Sequence, residues 1–250
     1  MEHELLLAAF AAWCFLVALV GGLLGLVLGN LRLPVLLLLS PSAAAGAGAN
    51  LAVSGVTAAT AAVTHLRAGR FHRRIFLVMA APSIVGAIIG SLFASQLSSD
   101  TLLALIGVTL VGFGIDTLRG RRAAPRARTD AGRFRNVAVA GLVIGLLGGI
   151  VGLILGALRM PALLRWFPEV PKQLVGTNLA VGVLVGAAGA LAHVPTAFDM
   201  TTFLVGSAAS IPGALLGARL TGRLPDRHLV RGIGIALVIG GVATLVRILL

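Results

Sequence analysis

The sequence predicts an all-α, polytopic membrane protein of about eight transmembrane helices. They fall into two homologous four-helix halves, each with a re-entrant or broken helix. Three observations predict this. The chain has 250 residues, 58% hydrophobic and 11% charged, where a soluble domain carries about 25% charged residues. Its mean hydropathy is +1.04, and several apolar runs exceed the ~18–20 residues that cross a bilayer. Finally, residues 21–37 (GGLLGLVLGNLRLPVLL) read like residues 148–164 (GGIVGLILGALRMPALL) at an offset of 127. Glycine and leucine matches come cheaply in such a composition. An arginine two places before a proline, as in Arg32/Pro34 and Arg159/Pro161, does not. Repeated interruptions inside apolar runs point to a transporter's binding site.

The first half reads as spans at about 5–28, 45–66, 75–96 and 101–118, and the second at about 137–157, 173–192, 200–220 and 228–249. The first span has an acidic start, Met-Glu-His-Glu, and an apolar run too long for a signal h-region, so it is read as a retained helix. Residues 1–118 form the first repeat, 119–136 a basic cytoplasmic linker and 137–250 the second repeat. The linker carries seven arginines between Arg119 and Arg135, against Asp130, and Pro125 and Gly132 interrupt it. With Arg67, Arg70, Arg73 and Arg74 two spans earlier, the positive-inside rule puts both termini in the cytoplasm. Four crossings per half make the repeats parallel, whereas an odd number would invert them. Four crossings also place Arg159, Arg165, Lys172, Arg219, Arg223 and Arg227 on the outer side, against that rule.

The net charge of +12 sits in short loops between apolar spans, which fits headgroups rather than nucleic acid. Small-xxx-small spacings such as Gly21/Gly25/Gly29 and Gly213/Gly217 suit close helix packing in lipid. The single cysteine, Cys14, allows no internal disulfide and reads as a buried apolar residue. No metal-ligand cluster, Walker loop or nucleophile–His–Asp set is visible. The expectation is no enzyme, no catalytic residue, no metal and no cofactor.

The paired constellation carries the functional reading. Glycine weakens a helix and proline suits the first turn of a new one. The chain is expected to break near Gly29 and Gly156 and to restart at Pro34 and Pro161. Half-helices inside a membrane must be buried in protein or line a cavity, and their N-termini favour anions. Arg32 and Arg159, beside those N-termini, are read as a paired anion site, since a guanidinium fork matches oxyanion geometry. The competing reading is that both snorkel to headgroups.

A second matched set lies at an offset of 128, where Gly48-Ala49-Asn50-Leu51-Ala52-Val53 faces Gly176-Thr177-Asn178-Leu179-Ala180-Val181. Asn50 and Asn178 are candidate substrate ligands. His65 and His193 also match, and are read as gates or proton carriers, or as interfacial histidines capping a helix end. Ser54, Thr57 and Thr64 form a polar stripe on the Asn50 face, but the second copy has Gly182, Val185 and Ala192 there.

At these residues the chain resembles the TauE/SafE family of membrane transporters, over nearly its whole length. The resemblance rests on the glycine-rich segment leading to a proline, the Gly-x-Asn-Leu segment and the histidine ending the next span, each present twice. Val27, Leu28, Ile154 and Leu155 stand where the family often has glycine, and Arg32 and Arg159 where it is more often apolar. The resemblance implies a secondary transporter in the cytoplasmic membrane moving a small anion, sulfite or another sulfur oxyanion. The expected partners are that anion and membrane lipids, with a homo-oligomer as a further option and no nucleic acid. The alternatives are a non-transporting assembly or structural subunit docking through the basic linker, and a lipid-acting membrane enzyme, which the shortage of buried carboxylates disfavours.

Overall fold

A computed structural model describes residues 2–93, 99–120, 130–151, 155–168, 170–192 and 199–249. These form ten helices, α1 (Glu2–Leu24), α2 (Gly29–Leu39), α3 (Ala43–Arg67), α4 (Arg73–Leu92), α5 (Ser99–Leu118), α6 (Asp130–Val151), α7 (Gly156–Trp166), α8 (Pro171–Ala192), α9 (Met200–Thr221) and α10 (Asp226–Leu249), with no strand among the described residues. α2 and α7 have 11 residues each. Among the described residues, five helices, α1, α4, α6, α9 and α10, are long and apolar enough to cross a bilayer, and Leu103–Leu118 of α5 is a shorter apolar stretch.

The outer helices α4, α5, α6, α9 and α10 present Leu77, Val85, Val108, Val139, Leu204 and Ile239 outward. That is the expected pattern when lipid is the solvent. α3 and α8, richer in alanine, glycine and polar residues, pack against each other at the centre, flanked by α9 and α4 respectively. α1 lies on α9, α4 on α6, and α5 on α10. Small residues make these approaches possible. Gly217 faces the Leu19 carbonyl, Gly145 the Ser83 carbonyl and Gly90 the Leu146 carbonyl, so a Cβ at any of them would strike backbone. Without a hydrophobic effect between helices in lipid, such contact supplies the association energy.

The break after α1 falls at Gly25, which has φ 72°. Leu26 N–H closes back on the Gly21 carbonyl at 3.0 Å. The helix restarts at Gly29, with Leu28 as N-cap, and Pro34 lies inside it; likewise α7 starts at Gly156 with Pro161 inside. The expectation of a break at Gly29 and a restart at Pro34, and of a restart at Pro161, is therefore corrected. Each proline sits in the second turn, where it forfeits one backbone bond without ending so short a helix.

The sequence left parallel and inverted halves open, and the helix directions are those of inverted halves. α1 finishes where α3 finishes, with His65 Nε2 2.9 Å from the Gly22 carbonyl oxygen. α6 starts where α4 starts, with the Arg74 guanidinium 4.1 Å over the Phe134 ring. So the helix opening the second half begins at the level where the helix opening the first half ends. α2 leads away from that level into the start of α3. α7 leads towards it, where Arg133 Nε donates to the Trp166 carbonyl at 2.6 Å. The physical reason is that the break plus short helix carries the chain back across the bundle, adding a reversal that four spans alone do not supply. As a result both ends of the chain lie opposite the end where α5 meets the linker. Residues 121–129 of that linker lie outside the described residues.

Candidate functional site

α2 and α7 bring Arg32 and Arg159 into the interior. Arg32 is 1% exposed and Arg159 is fully buried. Neither snorkels: each lies on the buried face of its short helix, α7 being buried from Gly156 to Leu163 while α2 leaves Pro34 and Leu38 exposed on its other side. Their surroundings differ. Arg32 Nη1 donates to Thr57 Oγ1 at 3.1 Å and Ser210 Oγ at 3.3 Å, and its Nη2 donates to Ser54 Oγ at 2.7 Å. Its Nε has no acceptor. Arg159 Nε donates to Asn178 Oδ1 at 3.1 Å, while both Nη1 and Nη2 have no acceptor among the described residues. Burying a cation is costly unless an anion or several hydrogen bonds compensate. Among the described residues no carboxylate forms an ion pair with either arginine.

The two asparagines fix the breaks. Asn50 Nδ2 donates to the Gly29 carbonyl at 3.0 Å. Asn178 Nδ2 donates to the Gly25 carbonyl at 2.7 Å and to the Gly156 carbonyl at 2.8 Å. One side chain thus clamps the first interruption to the start of α7 and also orients Arg159. The glycines are needed for closeness. A Cβ at Gly29 would lie 2.6 Å from Ser54 Oγ, and one at Gly156 would lie 3.4 Å from Arg159 Nη2. At Gly25 the neighbour is backbone, with the Val175 Cα 2.7 Å from where a Cβ would stand.

Of the sequence-predicted residues, Gly156, Arg159, Asn178 and Pro161 share the second break, and Gly29, Arg32, Asn50 and Pro34 share the first. His65 belongs elsewhere. It is fully buried at the end of α3, where its Nδ1 accepts from Arg70 Nε at 3.0 Å and its Nε2 faces the Gly22 carbonyl. That pairing assigns the proton to Nε2 and uses both ring nitrogens. Arg70 Nη2 also donates to the Ala218 carbonyl at 2.6 Å, so the cluster ties the ends of α1, α3 and α9 together. His193 lies outside the described residues.

Sequence reasoning undervalued three groups. Ser54 and Thr57 were a weak stripe, yet they hold Arg32, and Ser210 joins them from α9. Thr64 does bond back to its own helix, at the Thr60 carbonyl. The missing duplicate of the stripe was the signal. Gly182 and Val185 stand where Ser54 and Thr57 do, and the arginine of that half is the one with open nitrogens.

Comparison with known proteins bears on this arrangement. Residues 10–244 match the family described as sulfite exporter TauE/SafE. A probable membrane transporter protein, YunE, of Bacillus subtilis (strain 168) is 24% identical over 231 residues, covering 80% of this chain and 82% of that protein. A probable membrane transporter protein of Xylella fastidiosa (strain Temecula1 / ATCC 700964) is 29% identical over 232 residues, covering 84% and 86%. No solved structure matches.

Proposed function

We propose, from the premise that this chain belongs to the sulfite exporter TauE/SafE family, that it is a secondary transporter of a small oxyanion with Arg159 as its binding cation. Sulfite or another sulfur oxyanion is the solute the family suggests. The observation that carries the reading is the pair of unpartnered Nη atoms on a fully buried arginine. Two parallel N–H groups match two oxygens of one oxyanion, and charge assistance makes such pairs strong. Arg32, held by three hydroxyls, adds positive potential without offering the same fork. Asn50 and Asn178 shape the site through the backbone they hold.

The architecture behind the reading is two inverted repeats of five crossings. In each, the second crossing is built on a short helix; in the first repeat it follows the break at Gly25, and its 11 residues rise ~16 Å, about half the hydrocarbon thickness. Inverted repeats with sites at interrupted helices suit alternating access. This count gathers Arg67, Arg70, Arg165, Lys172, Arg219 and Arg223 at one end with the linker, which the positive-inside rule makes cytoplasmic. The termini then lie outside, which replaces the expectation of cytoplasmic termini. The membrane is the cytoplasmic membrane.

Thermal unfolding of the purified protein in detergent tests the site. Sulfite should raise the midpoint with the logarithm of its concentration above Kd. Arg159→Gln should keep the basal midpoint within a few degrees and lose the sulfite shift. A full shift in that variant rejects Arg159 as the ligand.

A further inference from the structure

Where α5 ends, the bundle holds a cavity of about 330 Å³. Arg165 of α7 and Arg227 and Arg231 of α10 line it, and Asp116 is the one carboxylate among its described lining residues. No carboxylate among the described residues lies within 4 Å of any of these arginines. The linker that follows Gly120 is itself arginine-rich, so it brings no compensating charge. Beside this cavity a groove of about 380 Å³ runs between α5, α6 and α7. Its walls are largely apolar, including Val139, Val143, Leu147 and Leu158. Phe113 belongs to both spaces, and α7 forms a wall of each: Leu158, Ala162 and Trp166 on the groove side, Pro161, Leu164 and Arg165 on the cavity side.

We propose that this pair of spaces binds one anionic phospholipid, with its phosphate among the three arginines and an acyl chain in the groove. Charge complementarity selects the head, since three guanidinium groups face one carboxylate. The apolar groove, lined by outward-facing Val139 and Val143, selects a chain that stays in the bilayer. Basic pockets between spans at the cytoplasmic face are suited to such headgroups. The lipid would lean on both sides of α7, the helix whose buried end carries Arg159.

The test compares phosphatidylglycerol with phosphatidylcholine of the same chains, added to the purified full-length protein in detergent, by thermal unfolding and by native mass spectrometry. Phosphatidylglycerol should give the larger shift and the more persistent adduct. Arg165→Gln, Arg227→Gln and Arg231→Gln should each weaken it roughly five-fold. Val143→Trp, on the exposed wall of the groove, should weaken the lipid but not the zwitterionic control. Inorganic phosphate and glycerol phosphate form the remaining arms and should give little shift. Equal response to both lipids, a full response to inorganic phosphate, or full lipid preference in the arginine variants each overturns the proposal. None of these readings depends on transport, so their failure leaves the anion site at Arg159 standing.

Discussion

Arg32 and Arg159 occupy matched places in the sequence and keep different company. Ser54, Thr57 and Ser210 satisfy Arg32, while Asn178 satisfies only the Nε of Arg159. The difference follows from single positions on the neighbouring helix, where Val185 stands in place of Thr57. Val185→Thr should therefore give Arg159 an internal acceptor and weaken sulfite binding several-fold in a thermal-shift titration, with little effect on stability. Asn178→Ala should act differently. It leaves two buried carbonyls and a guanidinium nitrogen unpaired, which costs about 2–4 kcal/mol, read as a lowered unfolding midpoint without ligand. The matched arginines and asparagines were legible in the sequence because polar residues are rare in apolar runs. Their partners were not. A serine or threonine in a membrane helix usually bonds its own backbone, as Thr57 and Thr64 both do, and only the packing shows that Thr57 and Ser54 also accept from Arg32.

At the scale of elements, the two 11-residue helices decide the arrangement. Their existence was legible from glycine and proline, but their start was not. Proline was read as the first helical residue, whereas Gly25 with its positive φ makes the break and leaves Pro34 inside the helix. Several glycines in the run had equal claim to that role and are approached as closely, and only its positive φ singles out Gly25. The start of α9 offers a test by pH. Asp199 caps it, its carboxylate accepting from the Thr201 and Thr202 N–H groups at 3.1 Å and from the Ser40 hydroxyl at 3.1 Å. Burial would raise this carboxyl, but the bonds from Thr202, Ser40 and Thr201 outweigh it and hold it below the ordinary carboxylate range. A depressed value means that the contribution is complete above the unfolded pKa and fades as pH falls through the folded one. Asp199→Ala should cost about 1 kcal/mol at neutral pH, and the gap from wild type should close on acidification below pH ~4.

For the whole molecule, the sequence made the membrane class and the two-copy pattern plain, and left the number of crossings open. A count of apolar runs misses a crossing built on a short helix after a break, because an 11-residue helix does not reach the length of a span. Counting four crossings stranded Arg165, Lys172, Arg219, Arg223 and Arg227 outside; counting five returns them to the face of the linker. That stranded charge was the available clue. Labelling in a Cys14→Ala background checks the outcome. A cysteine placed at Glu4 should react in intact cells with a membrane-impermeant maleimide, and one at Arg119 or Arg223 should react only after the membrane is opened. The reverse pattern would restore cytoplasmic termini and undo the inverted arrangement.

Uptake of radiolabelled sulfite into proteoliposomes by counterflow tests the central claim most directly, with wild type, Arg159→Gln, Arg159→Lys and Arg32→Gln reconstituted at equal density. Wild type should carry the label. Arg159→Gln should fall to the protein-free background, and Arg159→Lys should stay well below wild type, because an ammonium cannot supply the fork. Arg32→Gln should keep part of the flux. Wild-type flux through Arg159→Gln would contradict a buried guanidinium as the seat of the anion.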